Sequence, residues 1–307
     1  MSFSAGKAWS WLHAHPKVAV GLGIVGFFLL VGLIGPLIFR NPNAMDTASA
    51  MAAPSSTHWF GTTQTGQDVF QQVVVGTRTS LILCFGIGLV ATMLSVVVGM
   101  LAGYFGGLVD DVLSLFINMF LVIPALPLAV VLSGYFPAAG TTAIFIVLLL
   151  TGWPWGARVI RAQTLSLRER DFVTSASCSG ESFWRIIFFE IFPNEIAIVT
   201  SSFVGTVLFA ILADVGLEYI GLGDPTGTGW GTMLYWAQNS DSLVQGMWWW
   251  FVAPGACVAL LGAGLSLINF GIDELANPKL RKERRPKVRR LALSNKIIEE
   301  RIEKVAV

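Results

Sequence analysis

Long apolar runs separated by short polar breaks dominate the chain. Residues 18–39 carry no charged side chain over 22 positions. The hydrocarbon core of a bilayer is crossed by about 20 helical residues, so this run predicts a membrane-crossing helix. Five more runs follow at 81–103, 112–132, 142–158, 196–219 and 247–270. The pattern predicts an all-α, polytopic membrane protein with six transmembrane helices. The fourth run is the shortest and ends on Arg158, past which a helix can continue into the cytosol. A signal peptide competes for the first run, because Lys7 and Lys17 precede it and Ala48 and Ala50 form an A-x-A. A signal h-region is only about 7–15 residues, and this A-x-A lies far beyond the run, so a retained helix is the adopted reading.

Composition agrees. The 307 residues are 54% apolar and 13% charged, against about 25% charged in soluble proteins. Net charge is +1 and points to no partner, but its distribution is informative. With the N-terminus inside, segments 1–17, 104–111, 158–195 and 271–307 are cytoplasmic and hold 18 of the 20 Lys and Arg. The positive-inside rule supports that topology, with both termini cytoplasmic. The loop at 104–111 is the exception, with Asp110 and Asp111 and no basic residue. The external segment 41–79, with Pro42 and Pro54, is long enough to cap the outer face, and 221–246 contains glycine-rich turns around Asp224 and Trp230. Trp248, Trp249 and Trp250 open the last run, as an interfacial aromatic belt would. Gly99, Gly103 and Gly107 form a double G-x-x-x-G, which lets helices approach closely.

Little in the chain is equipped for covalent chemistry. Cys84, Cys178 and Cys257 have no paired spacing, and His13, His15 and His58 all lie outside the long runs. Neither a disulfide frame nor a metal site is expected. No G-x-x-x-x-G-K-[ST] occurs, so any ATP must bind another subunit. Gly221-Leu222-Gly223-Asp224 matches the G-x-G-D of intramembrane aspartyl proteases. That chemistry needs a second carboxylate close by; Asp110 and Asp111 lie at the opposite face, and Pro225 favours a turn.

The most informative segment is 158–195, which reads as two short amphipathic helices. Gly180 is the C-terminal break of the first, Ser182 or Ser179 caps the second, and Pro193 separates the second from the next span. Such a pair is either a docking surface or an interfacial helix lying on lipid.

This loop resembles the E-A-A-x-x-x-G loop of binding-protein-dependent ABC importers, with Gly180, Ile191 and Pro193 at family spacing. The similarity extends to the oligopeptide/dipeptide (peptide/nickel/opine) branch, and within it to the second permease. Leu167-Arg168-Glu169-Arg170 with Phe172-Val173 resembles its L-R-E-R-x-F-V. Gly61-Thr62, Gly66, Asp68-Val69, Arg78 and Leu81 resemble its external signature; Ile123-Pro124, Trp230-Gly231 and Asn277-Pro278 also fit. The match runs over 18–281. Thr174 and Ser175 depart from the motif's glutamate and first alanine, and Thr63 and Gln67 depart from the external signature's Asp and Arg.

The resemblance implies a type I ABC importer fold in a bacterial or archaeal inner membrane, in which alternating access imports peptides, nickel complexes or oligosaccharides. Its partners are a second homologous permease, two ATPase subunits, an external substrate-binding protein and membrane lipid, with no nucleic acid. ATP and Mg belong to the ATPases, and this chain carries no cofactor and no catalytic residue. The coupling loop comprises Arg168, Thr174, Ser175, Ala176, Gly180, Glu181, Arg185 and Pro193. Beyond it, Asp214 and Glu218 share one helix face near the outer end of the fifth run and are expected at the mouth of the translocation path. A stand-alone channel or secondary carrier is the alternative. The tail 282–307 is expected to be a basic cytoplasmic anchor.

Overall fold

A computed structural model describes residues 15–136 and 140–276; the tail 282–307 and most of segment 1–17 lie outside them. The helices are α1 (Pro16–Ile38), α2 (Val69–Phe105), α3 (Gly107–Val122), α4 (Ala125–Tyr135), α5 (Thr141–Arg168), α6 (Asp171–Cys178), α7 (Phe183–Tyr219), α8 (Trp230–Asn239) and α9 (Trp248–Ala276). Among the described residues the only β pairing is an isolated bridge between Thr62 and Asp68. Helices α1, α2, α5, α7 and α9 are each long and apolar enough to cross a bilayer.

The third predicted span is not one straight helix. Helices α3 and α4 meet at 80°. Pro124 disfavours helical geometry in the residue before it, and Ile123 is extended at φ −70°, ψ 116°. The packing of the neighbours shows that the bent pair is nevertheless one crossing. Gly86 of α2 faces Phe145 of α5, Gly99 faces Ala157 and Ile160, and Gly103 faces Arg161 and Thr164. Both helices therefore run in the same direction, and the chain between them must return across the bundle. Helices α1 and α9 are antiparallel, with Gly21 against Ile268 and Gly271 against Val18. Six passes result, with Pro16, Phe105, Arg168 and Ala276 all at one face. A 3.5 Å ion pair from Lys17 to Glu274 ties the first and last passes there.

The segment expected to cap the outer face is shorter than 41–79, because α2 begins at Val69. Its N-cap Asp68 accepts the Gln71 N–H at 3.1 Å. Residues 39–68 fold back on themselves: the Thr62 N–H donates to the Ala52 carbonyl at 2.9 Å, and Thr62 and Thr63 are buried. The tryptophan triplet divides. Trp248 is exposed, whereas Trp249 and Trp250 are core, and the Trp249 indole donates to the Thr62 carbonyl at 3.1 Å.

Pro193 does not end a helix. Helix α7 runs through it, because the stretch Ile186–Ile191 is π-helical and the Phe192 N–H bonds the Ile187 carbonyl five residues back. The wider turn absorbs the missing proline donor, and Pro193 sits in the first turn of the regular helix that follows.

Candidate coupling site and buried carboxylates

At the end of the bundle that carries Pro16 and Phe105 the chain leaves α5 at Arg168 and forms the eight-residue α6. One side of α6 is anchored: Val173 is buried and Ala176 partly so, against Met100, Ile160, Ile186, Ile187 and Ile191. The other side, carrying Thr174, Ser175 and Cys178, is exposed. Gly180 ends α6 in the left-handed region at φ +78°, and the Glu181 N–H reaches back to the Ala176 carbonyl at 3.2 Å. This six-to-one closure is a Schellman turn, the geometry that favours glycine. Ser182 then caps α7, its hydroxyl accepting the Arg185 N–H at 3.4 Å. Arg185 pairs with Glu181 at 2.9 Å on the exposed surface, where such pairs contribute at most about 1 kcal/mol.

Arg168, Thr174, Ser175, Ala176, Gly180, Glu181 and Arg185 therefore form one local unit, in which Ala176 and Arg168 face the bundle and the other five are exposed. Pro193 stands apart, exposed within α7 just past its π-helical stretch. Thr174, in the place of the motif glutamate, turns its hydroxyl back to the Arg170 carbonyl at 3.2 Å and presents no charge. The unit is tied to the α2–α3 corner twice. Arg168 donates to the Tyr104 carbonyl at 3.1 Å, and the Phe183 ring lies 5.4 Å from that of Phe105.

Two supports escape sequence reasoning. Arg161 holds Asp110 with two hydrogen bonds, one of them 2.7 Å long, across 51 positions of sequence. Thr164 donates to Oε1 of the fully buried Glu195 at 2.7 Å. Charge and sidedness alone made Asp110 and Arg161 eligible partners; nothing in the chain marks Thr164 and Glu195 as a pair.

Asp214 and Glu218 lie at the opposite end and do not join this unit. The sequence expectation places them at a water-filled mouth. In this chain they are instead enclosed, each at most 5% exposed. The segment after α7 folds back over them: Glu218 Oε2 accepts the Thr232 N–H at 2.9 Å, and Gly223, Gly229 and Gly231 press on its side chain. Asp224 of the G-x-G-D string sits outside on a turn, its carboxyl held below the usual range by the Thr226 hydroxyl and N–H. Among the described residues no three His, Cys, Asp or Glu side chains are grouped to hold a metal.

Six passes, with a short anchored helix presented at one face, define a polytopic transport subunit. Residues 95–282 match the model of the binding-protein-dependent transport system inner membrane component family, and the chain belongs to that family. It is 30% identical over 282 residues to the probable D,D-dipeptide transport system permease protein DdpC of Escherichia coli K12, covering 90% of this chain and 92% of that one. It is also 30% identical to the dipeptide transport system permease protein DppC of Bacillus subtilis 168, with coverage of 90% and 86%. A chain of the MetNI methionine ABC transporter in inward-facing conformations shares the fold at a TM-score of 0.52 and 18% identity, covering 68% of this chain and 97% of that one. The protein is thus a multi-pass inner-membrane permease of the type I importer fold, and its relatives are transport proteins, not enzymes.

Proposed function

We propose that this chain is one of two permease subunits in an ATP-driven importer of peptides or solutes of similar size. The peptide class comes from the relatives, which are named for dipeptide transport. Two separate ATPase subunits bind ATP and Mg and dock on the exposed side of α6. The face that carries Arg168 and Gly180 is cytoplasmic, as are both termini; the basic residues concentrate on that side. A substrate-loaded binding protein docks on the opposite face, on 39–68 and the segment around α8. The carrying observation is α6: its apolar side is fixed to the bundle, and its polar side is free for a partner. Closure of the ATPases on ATP would push this helix, and its ties to Tyr104 and Phe105 would carry the push into α2 and α3.

The test is reconstitution of the two permeases, the ATPases and the binding protein in proteoliposomes. A side chain at position 180 meets nothing of this chain within 4 Å, and the strain it adds at φ +78° is confined to the turn after α6. Gly180→Trp should therefore insert and assemble its bundle yet lose ATP-driven peptide uptake. Undiminished uptake by that variant overturns the coupling assignment. Uptake that persists without ATPase subunits would establish a stand-alone carrier instead.

A further inference from the structure

A cavity of about 470 Å³ lies between α5, α7 and α9, toward the inner half of the bundle. Thr151, Ser201, Ser202, Thr206, Asn269 and Asp273 supply its polar lining. Thr151 and Thr206 spend their hydroxyl protons on their own helices, at 2.9 Å to the Val147 carbonyl and 2.8 Å to the Ser202 carbonyl. Ser201 is placed differently. Its hydroxyl oxygen is 2.7 Å from Asn269 Oδ1 and 2.8 Å from Asp273 Oδ1.

A serine has one proton to give, and two acceptors face it. Turning the Asn269 amide over lets that residue donate to Ser201, which frees the serine proton for Asp273. Even so, Asp273 keeps one carboxylate oxygen without a donor, and the Asn269 carbonyl is then unmatched. No Lys, Arg or His lines the cavity, and among the described residues no ion pair engages Asp273. The adjacent Glu274 is already paired with Lys17. The cavity thus carries a negative charge, and the donors in its lining, the Ser202 hydroxyl, the Trp155 indole and the Asn269 amide, are all neutral. A lipid tail offers it nothing, and an apolar helix packed there would leave the charge unpaired at a cost. A primary ammonium supplies what is missing: three N–H donors and one positive charge. Trp155 lines the same cavity with an aromatic face, which also attracts cations.

We infer that this cavity receives the protonated amino end of a translocating peptide, held by Asp273, Asn269 and Ser201. The inference rests on the permease reading and names the substrate group recognised on the inner half of the path. A peptide carboxylate is repelled from the same place, so the solute travels with a preferred end toward Asp273.

The test uses the assembled complex in inside-out vesicles carrying Gly205→Cys. Gly205 lines the cavity, and a Cβ there meets nothing within 4 Å. Ser202→Cys is the second reporter should the first not assemble. Labelling by a neutral, impermeant maleimide is followed at that position by mass spectrometry. Trialanine amide and N-acetyl-trialanine amide serve as probes, differing only in the amine. The free amine should protect at a concentration at least about tenfold lower, the ratio a charge-assisted hydrogen bond supplies. Asp273→Asn should abolish the difference. Equal protection by both probes, or by neither, overturns the inference. So does a reporter that never reacts in the assembled complex, which would mean that the second permease fills the cavity. Failure of the permease reading registers separately, as wild-type complex without ATP-driven uptake.

Discussion

Gly229→Ala isolates the contact that closes the end of the bundle opposite α6. Gly229 has φ −61° and ψ 157°, values that alanine adopts without strain. The obstacle is one side chain: a Cβ at 229 would lie 2.8 Å from Glu218 Oε2, 3.2 Å from Oε1 and 3.4 Å from Cδ. Glu218 has little room to move aside, because Gly223 and Gly231 press on it and the Thr232 N–H holds Oε2 at 2.9 Å. Overpacking of this kind costs about 1–3 kcal/mol. Glu218→Ala alone removes the obstacle but strands the buried Thr232 N–H, a loss of about 1–3 kcal/mol. In that background the added methyl at 229 meets no carboxylate, and loss of glycine's freedom in the unfolded chain should return about 0.4–1 kcal/mol. The double variant should therefore be no less stable than Glu218→Ala, with a coupling of roughly 1–3 kcal/mol between the sites. Unfolding midpoints of wild type, both single variants and the double variant, in one detergent, measure it. If Gly229→Ala costs the same in both backgrounds, the loop is not shaped around the Glu218 carboxylate.

Three further outcomes follow from the same geometry. Space around Gly180 is open within this chain, so small substitutions there should rank by backbone preference at its φ of +78°. Gly180→Asn should lower ATPase co-purification only slightly and Gly180→Ala by roughly 5- to 30-fold, reflecting about 1–2 kcal/mol for a left-handed alanine; the reverse order would refute this. Thr164→Val deletes the hydrogen bond to Glu195 and should destabilise the bundle by about 1–3 kcal/mol in the same unfolding assay. The third concerns Asp224, whose carboxyl sits below its ordinary value of 3.8 in the folded protein. Its contribution is complete above that value and is lost as pH falls through the lower folded one. Proteolytic nicking of the segment after α7 should therefore rise only below about pH 4, and Asp224→Asn should nick at one rate across the range.

The fold class and the number of passes were legible because hydrocarbon imposes an uninterrupted length on each crossing. What the chain does at its prolines was not. Pro124 lies inside an apolar run and bends it by 80°, whereas Pro193 stands where a break is expected and the helix continues. Pro154 and Pro254 lie within α5 and α9 without ending them. The residue is the same each time. Before Pro193 the turn widens at Ile186–Ile191, whereas α5 and α9 pass Pro154 and Pro254 as regular helix, so no rule local to the proline fixes the outcome. The coupling unit was readable for the opposite reason. Its turn is local, so Gly180 and Ser182 specify it within a few residues of themselves. Asp110 with Arg161 and Thr164 with Glu195 meet across 51 and 31 positions, and no local rule chooses such partners.

The outer glycines show how a correct local signal can carry a different meaning. Gly223, Gly229 and Gly231 read as turn residues, the usual use of glycine's left-handed freedom. In the structure none of these three has positive φ; their neighbour Gly221 does, at +87°, where it closes the end of α7. The three are needed because they lack a Cβ: each would otherwise strike the Glu218 side chain. Helical spacing rightly put Asp214 and Glu218 on one face, but it carried no information about what covers that face. The cover is the chain's own next segment, and the three glycines spaced through it were the trace of that contact. A run of glycines downstream of a buried-face acid is thus better read as a fitted lid than as a flexible turn, and the Gly229→Ala and Glu218→Ala cycle decides between the two.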